Sequence, residues 1–90
     1  MQQQDVFNII TQERLYQDHT WGTIEQRPRD VASYLTIIQA LVTQAQYHIL
    51  NSHNDYGALD TIRQLTATGI ACLEQHDAPS RIMPPNFKQP

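Results

Sequence analysis

The chain has 90 residues, 17% of them Asp, Glu, Lys or Arg, and a formal net charge of −3. So short and mildly acidic a chain makes one small domain, and the charge argues against sequence-independent nucleic-acid binding, which needs a basic face. Cys72 is the only cysteine, so an intrachain disulfide and a Cys-based metal cluster are excluded, and a reducing cytoplasm is the expected compartment.

The opening MQQQDVF lacks a basic segment followed by an apolar one, so no signal peptide is expected. Asp5 can cap a first helix over about 5–18, with Val6, Phe7, Ile9, Ile10 and Leu15 as its apolar residues. Residues 18–30, DHTWGTIEQRPRD, read as an ordered loop. Gly22 permits unusual backbone angles there, and Pro28 disfavours helical geometry at Arg27. The loop holds the only tryptophan, Trp21, expected to anchor it on the core.

A second helix is expected over about 30–50, with Asp30 in its first turn. Residues 31–54 contain no Asp, Glu, Lys or Arg, and apolar residues recur at helical spacing as Val31, Tyr34, Leu35, Ile38, Leu41, Val42, Ala45 and Ile49. The stretch is long enough to span a bilayer, but its Gln, His, Asn, Ser and Thr argue against that. A chain of this size can hardly surround so neutral a helix, so one side is expected to face a second subunit. After a polar turn at 51–54 comes a third helix over about 55–75, its apolar face read as Tyr56, Leu59, Ile62, Leu65, Gly69, Ile70 and Leu73, with the small Ala67, Gly69 and Ala71 allowing close helix approach. Residues 77–90 form a tail with four prolines between 79 and 90, expected to be extended and to dock through Ile82, Met83 and Phe87. The fold class is all-α: a bundle of three main helices with a Pro-rich tail, completed as a homo-oligomer, dimer or higher.

The segment 13–22, ERLYQDHTWG, resembles the E-R-x-x-Q-D-x-x-W-G signature of a MazG-like group of small helical proteins. The segment 70–81, IACLEQHDAPSR, resembles a small phage-associated branch ending in C-[LM]-E-Q-H-G-A-P-x-R. With the helix order, the resemblance covers roughly residues 5–82 and makes 1–90 a single MazG-like helical domain. It implies an all-α nucleotide pyrophosphatase acting as a dimer or tetramer, with magnesium held by an E-x-x-E and an E-x-x-D pair on facing helices. Here the aligned positions are Leu41 and Gln44, then Thr61 and Gln64. Magnesium is a hard cation bound through carboxylates and water, for which amides are poor substitutes. Metal-dependent phosphoryl chemistry also needs the ion to offset developing charge. No catalytic residue, metal or cofactor is therefore expected.

Each candidate site has a plain structural reading beside the functional one. Cys72 and His76, four apart with Glu74 between, make either a nucleophile pair or a buried thiol beside a helix-end histidine. His19, His48, His53 and His76 lack metal-site spacing and read as surface or interface residues. The basic residues are Arg14, Arg27, Arg29, Arg63, Arg81 and Lys88. Arg27 and Arg29 flank Pro28 at a helix start, where backbone amides also favour an anion. They make either a phosphate site, with Trp21 or Tyr34 stacking on a base, or a solvated pair. Arg14 is expected to pair with an acid such as Asp18, and Asp60 with Arg63 on a helix surface. Gln39, Gln44, Gln46, Gln64, Thr36 and Thr43 line either a neutral pocket or a subunit interface.

The ligand-binding set is therefore Trp21, Arg27, Arg29, Tyr34, Gln44, Arg63, Gln64 and Arg81. The expected function is a non-catalytic oligomeric binder of a nucleotide-derived small molecule. For a phage-encoded protein in a host cytoplasm, the resemblance implies sequestration of a defence signal. The alternatives are a structural or interaction protein whose neutral helix is only an interface, and a metal-dependent nucleotide pyrophosphatase. Neither nucleic acid nor a membrane is an expected partner.

Overall fold

A computed structural model describes residues 1–88, which form α1 (Gln3–Trp21), α2 (Val31–Ser52) and α3 (Asp55–His76) with no strand. Residues 77–88 carry no helix beyond a turn at 85–86, and the last two residues of the expected tail lie outside the described residues. No helix among the described residues is long and apolar enough to cross a membrane.

Three helix starts are set by local chemistry, and two differ from expectation. Asp5 is not the cap of α1. Its carboxylate instead accepts the Gln2 amide at 3.0 Å, so the helix begins two residues earlier. Asp30 stands just before α2 as its N-cap, accepting the Ser33 amide at 2.7 Å. Asn54 caps α3 in the same way through the Gly57 amide at 3.0 Å.

Between α2 and α3 the chain reverses in two residues, with His53 in the left-handed region at φ 48°. Gly57 lets the ends meet. A Cβ there would stand 2.6 Å from Asn54 Nδ2 and 2.8 Å from His48 Nδ1.

The resulting antiparallel hairpin is the frame of the molecule, and α1 packs only on α3, never on α2. The core is built from small side chains: Ala45 on α2, and Ala58, Thr61, Ala67, Thr68 and Ala71 on α3, joined by Ile10 and Tyr34. The expected apolar face of the third helix is thus not the buried one. Tyr56, Leu59, Ile62 and Leu73 are exposed. Close helix approach needs small residues, so the larger ones lie off the contact line.

The architecture is open for its size. Its radius of gyration is 15.3 Å, against about 12 Å for a compact 90-residue domain.

Candidate functional site

Because α1 and α2 both lean on α3 without touching, they enclose a cleft of about 560 Å³ floored by α3 and closed at one end by residues 22–29. Its walls carry Tyr16, Gln17 and Trp21 from α1, Arg27 and Arg29 from the loop, and Tyr34, Ile37 and Leu41 from α2. Arg63, Gln64, Thr68 and Ala71 come from α3.

The α1 wall is held by charge. Arg14 reaches Glu74 through two hydrogen bonds, Nε to Oε1 at 3.3 Å and Nη2 to Oε2 at 3.1 Å, and pairs with Asp18 at 2.9 Å. Burial works against the Arg14 guanidinium, but the hydrogen bonds to Glu74 and Asp18 outweigh it and hold its pKa above the usual arginine value. Arg63 pairs with Glu13 at 2.8 Å and with Asp60 at 2.7 Å. The Glu13 hydrogen bond is the main reason that its pKa is raised as well. Gln17 Nε2 completes this side by donating to the Gln64 carbonyl at 3.1 Å. The expected Arg14–Asp18 and Asp60–Arg63 pairs are both present.

The loop wall is held by geometry. Gly22 ends α1 at φ 97°, a backbone region that favours glycine, and its amide donates to Asp18 O at 3.0 Å. A Cβ at this position would meet Arg27 Cγ at 2.8 Å, so the Arg27 stem lies directly over the glycine. Thr23 and Gln26 lock the turn reciprocally, Thr23 N to Gln26 Oε1 at 3.0 Å and Gln26 N to Thr23 Oγ1 at 3.3 Å.

Gln75 on α3 then grips the other end of the loop. Its Oε1 accepts the Arg29 amide at 3.1 Å and the Tyr34 hydroxyl at 2.9 Å, while its Nε2 donates to the Arg29 carbonyl. His76 Nε2 also meets that carbonyl at 2.8 Å, and its ring stands edge-on to Tyr34, with centroids 6.2 Å apart. The histidine is thus part of the loop anchor, and no hydrogen bond joins it to the Cys72 thiol.

Of the residues expected to bind ligand, Trp21, Arg27, Arg29, Tyr34, Arg63 and Gln64 line this one cleft. Gln44 is exposed elsewhere on α2, and Arg81 lies in the exposed tail. Trp21 does not anchor the loop on the core. It is the last residue of α1 and is 62% exposed, because Tyr34 and Gln75 anchor the loop instead.

The expected neutral amide pocket is not assembled within one chain. Thr36, Gln39, Thr43, Gln44 and Gln46 are exposed along α2, and only Gln64 reaches the cleft, donating to Asp60 at 3.1 Å. Sequence reasoning missed Gln75 as the residue that sets the loop, and missed Tyr16 and Gln17 on the wall. Gln17 and Gln75 both fall inside the quoted signatures, which was the available signal.

The positions aligned with the family's metal ligands do not suit magnesium. Leu41 and Gln64 line the cleft, Thr61 is buried with its hydroxyl donating to Gly57 O at 3.1 Å, and Gln44 points elsewhere. The nearby carboxylates Glu13, Asp18, Asp60 and Glu74 are each engaged by Arg14 or Arg63. Among the described residues, no three His, Cys, Asp or Glu side chains converge.

Arg27 and Arg29, by contrast, form no ion pair among the described residues. The cleft therefore has compensated cations on its α1 and α3 walls and uncompensated ones on its loop wall. Compared with models of protein families, with curated proteins and with solved structures, the chain matches none.

Proposed function

We propose that the cleft binds a nucleotide-like anion and does not turn it over. The observation that carries this reading is the pairing of two uncompensated arginines, Arg27 and Arg29, with the exposed rings of Tyr16 and Trp21 around one cleft, while Tyr34, expected to stack on a base, is buried as part of the loop anchor. Arginine forks suit phosphate oxygens, and an exposed indole or phenol offers a stacking face for a base. The volume of about 560 Å³ falls in the range of small-molecule sites.

Binding without hydrolysis is supported by the occupancy of the carboxylates, all committed to Arg14 and Arg63, and by the neutral residues at the aligned metal positions. The resemblance to the MazG-like group and its phage-associated branch points to a nucleotide as the ligand, and to sequestration of a signalling nucleotide as its purpose.

Thermal denaturation with a panel of linear, cyclic and ADP-ribose-type nucleotides tests this. A ligand at a hundredfold excess over its Kd stabilises the folded state by about 2.7 kcal/mol. The Arg27→Ala/Arg29→Ala variant is expected to fold normally and to lose that shift. No shift for any member of the panel, or an unchanged shift in the double variant, overturns the reading.

A further inference from the structure

We propose that Asp18 reads the base of the bound nucleotide and that the base it selects is guanine, an assignment that deepens the ligand reading above and rests on it. Four carboxylates stand in or beside the cleft, and three of them have both oxygens engaged. Glu13 accepts from Arg63 Nε at 2.8 Å and Gln17 Nε2 at 3.4 Å, Asp60 accepts from Arg63 Nη1 at 2.7 Å and Gln64 Nε2 at 3.1 Å, and Arg14 takes both Glu74 oxygens. Asp18 differs. Its Oδ1 accepts from Arg14 Nη1 at 2.9 Å, while its Oδ2 has no hydrogen-bond partner among the described residues, and the residue lines the cleft.

That free oxygen is held in place. The buried Arg14 spans from Asp18 to Glu74, so the carboxylate is fixed through a chain of bonds that ends on α3. Asp18 and Trp21 are three residues apart on α1, which makes them neighbours on one helix face. A base stacked on the exposed Trp21 indole therefore turns an edge toward Asp18. Beyond Trp21 the Arg27 stem crosses Gly22, one helical turn or about 6 Å along the axis from Asp18. The cleft thus offers uncompensated cations at the loop, then an aromatic face, then an unspent acceptor. A nucleotide has the matching order of phosphates, base face and base edge.

Hydrogen-bond chemistry decides which base edge fits. An ionised carboxylate only accepts. Guanine sets two adjacent donors, N1–H and the N2 amino group, on its Watson–Crick edge, and these match Oδ2 and the remaining lone pair of Oδ1. Adenine and cytosine place a ring-nitrogen acceptor beside their amino group, and that lone pair would face the carboxylate. Uracil and hypoxanthine keep a ring N–H but lack the amino donor. Arg14 offsets the charge of Asp18, so the carboxylate can read a base without driving off phosphates at Arg27 and Arg29.

Isothermal titration of the wild-type chain with guanosine, inosine, adenosine and cytidine diphosphates tests the assignment. Guanosine diphosphate should bind at least tenfold tighter than the adenosine and cytidine forms, with inosine between. Its 1-methyl derivative, which lacks the N1 proton, should bind at least tenfold more weakly than the parent. These comparisons use one unaltered protein, so they stand even where a variant loses its fold. In Asp18→Asn, its helicity checked by circular dichroism, the preference for guanosine over adenosine should drop below threefold. A preference below tenfold in the wild-type chain, or one retained in full by the folded variant, overturns the proposal. Four diphosphates bound alike would strike the base assignment and leave the nucleotide reading standing. If none of the four binds, the base assignment falls, and the thermal panel alone decides whether another nucleotide occupies the cleft.

Discussion

The two sides of α3 are joined to their neighbours by different physics. Toward α1 the contacts are long and polar: Arg14 spans to Glu74, Arg63 to Glu13, and Gln17 to the Gln64 carbonyl. All of these come from residues 13–17 of α1, while their partners run over residues 63–74 of α3, so α1 crosses α3 and its first turns overhang. Toward α2 the packing is more extensive and rests on the buried Ala45 and Tyr34 of α2, against an α3 whose buried residues are alanine and threonine. A polar joint fixes orientation through directed bonds, whereas small-residue packing fixes distance. The cleft exists because α3 uses one mode on each side and leaves α1 and α2 apart.

The charged joint should break hardest. Removing Arg63 leaves the Glu13 carboxylate, only 9% exposed, without its cation. Arg63→Met is expected to lower the unfolding free energy by about 3 kcal/mol, since an orphaned buried charge costs more than the pair contributed. Glu13→Gln in the same chain should recover about 1–2 kcal/mol of it, a coupling that independent sites would lack. Urea denaturation of the four chains at one protein concentration measures this, and additive losses would make the joint mere surface decoration.

The small-residue joint should fail by overfilling. Ala45 lies on α2, whose packing partner is α3, and is buried at the contact. Ala45→Leu must push the helices apart or force an off-rotamer side chain, at about 2 kcal/mol. The same denaturation series checks it. A neutral outcome would mean that the hairpin has slack that its buried alanines do not suggest.

That contrast also explains what could be read from the sequence. Helix existence was legible because apolar recurrence reports a periodic face, and Arg14–Asp18 and Asp60–Arg63 were legible because their partners are one turn away. Glu13–Arg63 and Arg14–Glu74 join residues 50 and 60 apart, which spacing cannot reveal. The face that α3 buries was read in part. Ala67 and Ala71 were expected to allow close approach and are buried. Tyr56, Leu59, Ile62 and Leu73 were read as its apolar face and are exposed, because hydrophobicity favours large residues where close approach selects small ones. At the site, Arg27, Arg29 and Tyr34 were legible from the loop–helix junction. Arg63 was legible as the partner of Asp60 but not as a cation also engaged by Glu13, fifty residues away. Gln75 stood inside a quoted signature, but its role, binding the backbone of Arg29, is one that spacing does not reveal.

At the hairpin turn, the small-residue joint depends on a cap. Asn54 accepts the Gly57 amide at 3.0 Å where α3 passes close to His48. Asn54→Ala should cost about 1 kcal/mol, the usual loss for an N-cap of this type. Asn54→Asp retains an acceptor and should cost less. Equal losses in the two would show that position 54 acts through turn geometry alone.

The smallest effect lies at the other end of α2, where Asp30 caps the helix beside the loop wall. Hydrogen bonds from Ser33, through its side chain and then its amide, hold the Asp30 carboxyl below the ordinary aspartate value. A carboxylate depressed in the folded state adds stability that is fully present above its unfolded pKa of about 3.9. That contribution is lost as the pH falls through the lower folded value. Asp30→Asn keeps the cap acceptor but removes the titration. The stability difference between wild type and variant should therefore stay constant from neutral pH to about 5 and change only below about 4. Far-ultraviolet dichroism melts across pH 2–7 read this difference, with the other carboxylates common to both chains. A difference that moves near neutrality would mean that the Asp30 cap does not control the start of α2.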